Sequence, residues 1–96
     1  SAVPPFVALR LAQALLRPPV PDAAIRVERR GDRLEITTIL GIASLWLAAP
    51  GLGIRQVDVT DGVAIVELGA HGSLRRIAVL ARPDRAASTI VVIDRT

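Results

Sequence analysis

The stretch that most limits how this chain can fold is residues 36–54, nineteen positions in which no side chain ionises. A run of that length approaches the ~20 apolar residues that cross a bilayer as a helix. Thr37, Thr38 and Gly41 dilute its start, however, and Pro50, Gly51 and Gly53 break its end, so that only residues 39–49 are strongly apolar. Apolar segments of about 10–14 residues are more often buried or interfacial helices than membrane spans. The reading is a strand that ends near Ile39, a short apolar helix over about residues 40–49, and a Pro-Gly turn. Ser44 is the only polar side chain of that helix, which leaves it no face for water. It must be covered on more than one side, and its missing cover points to a partner.

On the N-terminal side, Pro4 and Pro5 suit the first turn of a helix, where the lost N–H has no partner to lose. The pattern predicts a helix over about residues 5–17, with Arg10, Gln13 and Arg17 in one narrow polar stripe and apolar side chains over the rest. Packing on a sheet with the arginines outward is one reading. Lying on a membrane or in a partner's groove, with the arginines near phosphates, is the other. Pro18, Pro19 and Pro21 then stop the helix and stiffen the connection to Asp22.

Residues 24–39 form the clearest hairpin. With Gly31-Asp32 as a two-residue loop, glycine takes the first positive-φ position of a type II′ turn, Arg30 faces Arg33 and Val27 faces Ile36. One face collects Ile25, Val27, Leu34 and Ile36, with Arg29 near the tip; the other collects Arg26, Glu28, Arg30, Arg33 and Glu35. Such alternation is that of a sheet wet on one side. The tripeptide Arg30-Gly31-Asp32 spells an integrin-type adhesion motif, but a hairpin turn accounts for it.

Residues 54–68 read as a second hairpin around the Asp61-Gly62 turn, pairing Thr60 with Val63 and Val57 with Val66. Its core face is Val57, Val59, Ala64, Val66 and Leu68; on the other face Val63 and Ile65 need a further covering layer. A turn over 69–73, a strand over about 74–81, a polar loop over 82–88 and a strand over about 88–94 complete the chain. The last strand is apolar on both faces, as a central strand would be.

Ninety-six residues make a single domain with a modest core. Hydrophobic residues are 51% of the chain and the mean hydropathy is +0.47, so some apolar surface is expected to need a partner, a second copy or lipid. The net charge of +3 comes from arginine alone, and the absence of Lys and Asn fits coding from a GC-rich bacterial genome. Basicity of that origin is discounted as a sign of nucleic-acid binding. A start at Ser1 is read as processing that removed any anchor or targeting segment, which leaves cytoplasmic and envelope locations both open.

Catalytic signals are weak. His71 and Ser73 sit too close on one turn to face each other, with no orienting carboxylate nearby, so His71 is read as a solvent-exposed turn residue. One His and no Cys give no transition-metal set. Asp58-Val59-Thr60-Asp61-Gly62 lacks the distal glutamate of a calcium loop, and Gly51-Leu52-Gly53 lacks the third glycine and following helix of a dinucleotide site. Arg26, Arg29, Arg30 and Arg33 are nearly cancelled by Glu28, Asp32 and Glu35.

These readings predict an α+β fold: an N-terminal amphipathic helix packed on a mainly antiparallel sheet of about six strands built from hairpins, with a short apolar helix between the first and second hairpins. No catalytic residue, cofactor or metal is expected. The expected role is a non-enzymatic protein-interaction or structural module, self-associating through apolar surface and belonging to a larger envelope-associated protein. Binding of lipid or another apolar ligand is the alternative, and nucleic-acid binding ranks below both. The candidate interaction surface is Ile42, Leu45, Trp46, Leu47, Val63 and Ile65; the candidate basic surface is Arg26, Arg30, Arg33, Arg75 and Arg76.

Overall fold

A computed structural model describes residues 2–18, 22–69 and 74–95. Among these residues one helix and eight strands follow the chain as α1 (Pro5–Leu15), β1 (Ile25–Arg30), β2 (Arg33–Thr38), β3 (Ser44–Ala49), β4 (Gly53–Asp58), β5 (Val63–Glu67), β6 (Arg76–Leu80), β7 (Ser88–Val91) and β8 (Ile93–Arg95). The class is α+β, but the expected single sheet is two four-stranded sheets, ordered β5-β2-β1-β8 and β4-β3-β6-β7. Their inner faces close over one core, in which Val27, Leu34 and Ile36 of the first sheet meet Leu45, Leu47, Ile77 and Val79 of the second. The helix lies on the outer face of the second sheet, so the layers run helix, sheet, sheet.

The first hairpin folds as its alternation predicts. Arg30 pairs with Arg33 and Val27 with Ile36, and Gly31 takes the positive φ of the turn at +60°. Arg29 is half-buried near the tip and donates from Nε to the Gly31 carbonyl at 3.2 Å.

The expected helix over residues 40–49 is strand β3. Leu45, Leu47 and Ala49 point into the sandwich, while Trp46 and Ala48 pack with the helix on the opposite face. A strand flanked by β4 and β6 and covered on both faces shows no apolar–polar alternation, so its period is hidden in the sequence. The cover that residues 44–49 require is thus supplied by this chain, while Ile39 ahead of them is 84% exposed. Entry into β3 is a tight turn, in which Leu40 N–H donates to Thr38 Oγ1 at 3.0 Å and Ile42 N–H to the Leu40 carbonyl at 2.9 Å.

The second hairpin is also corrected. Its turn forms, with Thr60 and Val63 exchanging backbone bonds of 2.9 and 3.0 Å, but its arms then separate between the sheets. Strand β4 pairs with β3 and β5 with β2, so Val57 and Val66 are not partners. The predicted core face survives, since Ala64, Val66 and Leu68 are buried and Val57 and Val59 pack against them. The final apolar run likewise splits at Val92, whose N–H donates to the Arg75 carbonyl at 2.9 Å. It becomes two edge strands in different sheets, β7 and β8, with β8 parallel to β1.

Helix α1 seats Val7, Leu11 and Ala14 on Ala48, Ala78 and Leu80. Small side chains at 48 and 78 let the helix approach the sheet closely. Its C-terminal carbonyls are held by the sheet: the Arg76 guanidinium donates to Leu15 O at 2.7 Å and Arg17 O at 3.2 Å, and buried Thr89 Oγ1 donates to Ala14 O at 2.8 Å. A cation at the last turn also opposes the negative end of the helix dipole.

Candidate interaction surfaces

The outer face of the first sheet carries the charged side of the hairpin. Arg26, Glu28 and Arg30 of β1 lie beside Glu35 and Arg33 of β2, and the groups connect in a chain. Its contacts are Arg26–Glu28 at 3.7 Å, Glu28–Arg30 at 3.8 Å, Arg30–Glu35 at 2.8 Å and Glu35–Arg33 at 3.3 Å. Three of the expected basic-surface residues therefore sit among carboxylates, which leaves little free positive field for a polyanion. Beside this ladder Val63 and Ile65 of edge strand β5 are exposed, and Ile93 is exposed on the opposite edge. The β5 edge is not open along its whole length, because Arg55 donates to the Glu67 carbonyl at 3.2 Å.

The other expected residues scatter. Leu45 and Leu47 are 1% and 0% exposed, inside the sandwich, so they supply no surface. Ile42 is half-buried against the same core. Trp46 is half-buried on the helix side, where it lines a recess of about 220 Å³ with Phe6, Ser44 and Gln56. Arg75 is exposed, and Arg76 is engaged with the end of α1. His71 and Ser73 lie outside the described residues.

The helix layer exposes an apolar ridge outside the residues expected as the interaction surface, on the element whose pattern also allows it to lie on a membrane or in a partner's groove. At about 100° per residue, Arg10, Gln13 and Arg17 lie a quarter-turn from the buried stripe of Val7, Leu11 and Ala14 rather than opposite it. Opposite it are Leu9, Ala12 and Leu16, and Leu9 and Leu16 are 59% and 87% exposed. The polar stripe instead faces the 82–87 loop, across a recess of about 300 Å³ lined by Arg10, Gln13, Arg17, Asp84 and Arg85. Arg10 anchors this side by donating to the Arg85 carbonyl at 3.3 Å, with its guanidinium 5.4 Å from the Phe6 ring centre. On the other flank, between α1 and β4, runs an apolar groove of about 210 Å³ lined by Ala8, Leu15, Ala48, Pro50 and Ile54. Helix ridge, groove and Ile54 thus form one apolar side, and exposed Phe6 lies on the arginine flank beside Arg10. The signal was available as the angle between the Arg10/Gln13/Arg17 stripe and the Val7/Leu11/Ala14 stripe, once the latter is known to be the buried one.

A further cleft of about 330 Å³ is lined by Asp22, Ile25, Leu40, Val79, Arg82 and Arg85. The Asp22 carboxylate is already engaged there, accepting from the Ala24 N–H at 2.9 Å. Among the described residues no group of His, Cys, Asp and Glu gathers as a metal set, and no helix is long and apolar enough to cross a membrane.

Compared with protein-family models, with curated proteins and with solved structures, the chain matches none of them.

Proposed function

We propose that this chain is a non-enzymatic interaction module whose working surface is the apolar side formed by α1 and the adjoining β3–β4 face. One observation carries the reading: the helix turns Leu9 and Leu16 directly away from the sheet and holds its arginines on a flank. A helix that serves only to cap a sheet exposes its polar stripe and buries its apolar one. Two large exposed leucines two turns apart, bordered on one flank by an apolar groove and Ile54, are the mark of a docking face.

This surface replaces the one expected around Leu45 and Leu47, and keeps Trp46 at its border. The first sheet's outer face, with its connected arginines and glutamates, is the solvent side of the module.

The test is association of the purified chain, with itself by sedimentation and with lipid vesicles by flotation, against the double variant Leu9→Glu/Leu16→Glu. The wild-type chain is expected to associate in at least one of these assays. The variant is expected to do so in neither, with unchanged thermal stability because both side chains are exposed. A wild-type chain that stays monomeric and off vesicles contradicts the reading.

A further inference from the structure

Resting on that docking surface, we infer that its partner is an anionic bilayer surface, on which α1 lies flat with Leu9 and Leu16 inserted between headgroups and the surrounding arginines against phosphates. The inference comes from where charge sits around the apolar ridge. Helix α1 contains no carboxylate. Arg10 and Arg17 run along one flank with Arg85 across the recess, while Arg76 donates to the carbonyls at the helix C-terminus and Arg75 precedes it in the chain beside Pro50. Among the described residues that line these recesses Asp84 is the one carboxylate, and exposed Asp58 lies on the outer face of β4, paired with Ser44. Three of the other acidic side chains, Glu28, Glu35 and Glu67, are on the far sheet, opposite Arg26, Arg30 and Arg33. The helix side therefore carries an excess of arginine beside its apolar crest, whereas the far face is charge-balanced, with Val63, Ile65 and Ile93 also exposed on it.

Shape and charge both favour lipid over a second copy. Docking two copies through this face would bring together two sets of arginines that outnumber the carboxylates beside them, Asp84 of the recess and Asp58 of β4. A convex helix crest with projecting leucines also fits a deformable headgroup layer, which needs no preformed concave receptor. The layout is that of an interfacial helix: apolar crest, arginines beside it, axis parallel to the membrane. Arginines near an anionic leaflet add attraction that falls with salt.

The test is flotation of the full chain with vesicles of phosphatidylcholine alone and of phosphatidylcholine mixed with phosphatidylglycerol, at low and high salt, with sedimentation of the lipid-free chain alongside. Binding is expected to the mixed vesicles, to weaken with salt, and to be lost in Leu9→Glu/Leu16→Glu. Arg17→Ala/Arg75→Ala is expected to lower partitioning about tenfold or more. Ile65→Glu, on the far face, is expected to bind as the wild type does. Equal binding to both vesicle types, or equal loss in Ile65→Glu, overturns the inference. A dimer that Leu9→Glu/Leu16→Glu dissociates, without vesicle binding, overturns the lipid partner and keeps the docking surface. A monomer that binds no vesicle overturns both.

Discussion

At Gly62 the backbone turns with φ at +78°, and a Cβ there would lie 2.9 Å from the Thr38 carbonyl oxygen. The same glycine accepts the Thr38 N–H at 2.8 Å, so neither strand end can retreat without losing that bond. Gly62→Ala is expected to cost about 2–3 kcal/mol, from left-handed backbone strain plus the forced shift. Gly51→Ala, at φ +81° with nothing within 4 Å, carries the backbone strain alone and is expected to cost about 1 kcal/mol. Urea denaturation of the two variants checks the difference, and equal costs would show that the Thr38 contact yields freely. The ion-pair ladder works on a smaller scale. Arg26, Arg30 and Arg33 are about half exposed, and surface pairs of this kind each contribute roughly 0–1 kcal/mol. Its effect is to keep the first sheet's outer face wet and electrically balanced.

Among the elements, the β1–β2 hairpin was fully legible, because one face is wet and a one-residue slip would put Arg26, Glu28 and Arg30 into the core. Strand β3 was not, since both of its faces are buried and its run of Leu, Trp and Ala suits a helix as well. The separation of β4 from β5 was hidden for a different reason. Asp61-Gly62 specifies a turn and the alternation specifies faces, but neither says which neighbour an edge will bond. In α1 the apolar residues were legible and the direction in which they face was not. That direction is set by the flat seat at Ala48 and Ala78, which tertiary structure alone assembles. Ala78→Leu, at a position with no exposure, is expected to lift α1 and cost about 1–3 kcal/mol through overpacking. Thermal unfolding followed at the single tryptophan, Trp46, reads this directly, as it borders the helix cluster. An unchanged midpoint would mean that α1 is loosely seated.

Over the whole molecule, helix, sheet and sheet divide the surface into two unlike sides. A chain of 96 residues that is 51% hydrophobic fills its sandwich and still has Phe6, Leu9, Leu16 and Ile54 exposed on the helix side, with Leu9 and Leu16 more exposed than Val63, Ile65 and Ile93 of the far face. The charged rows of the first sheet lie on the far side, so a bound membrane would meet the helix and leave the ladder in water. The absence of cysteine allows this orientation to be read with one label at a time. A polarity-sensitive fluorophore attached at Leu16→Cys is compared with the same fluorophore at Ile65→Cys as phosphatidylglycerol-containing vesicles are added. The account predicts a blue-shifted, brighter emission at position 16 and an unchanged aqueous emission at position 65. No change at position 16, or the same change at both positions, would contradict it.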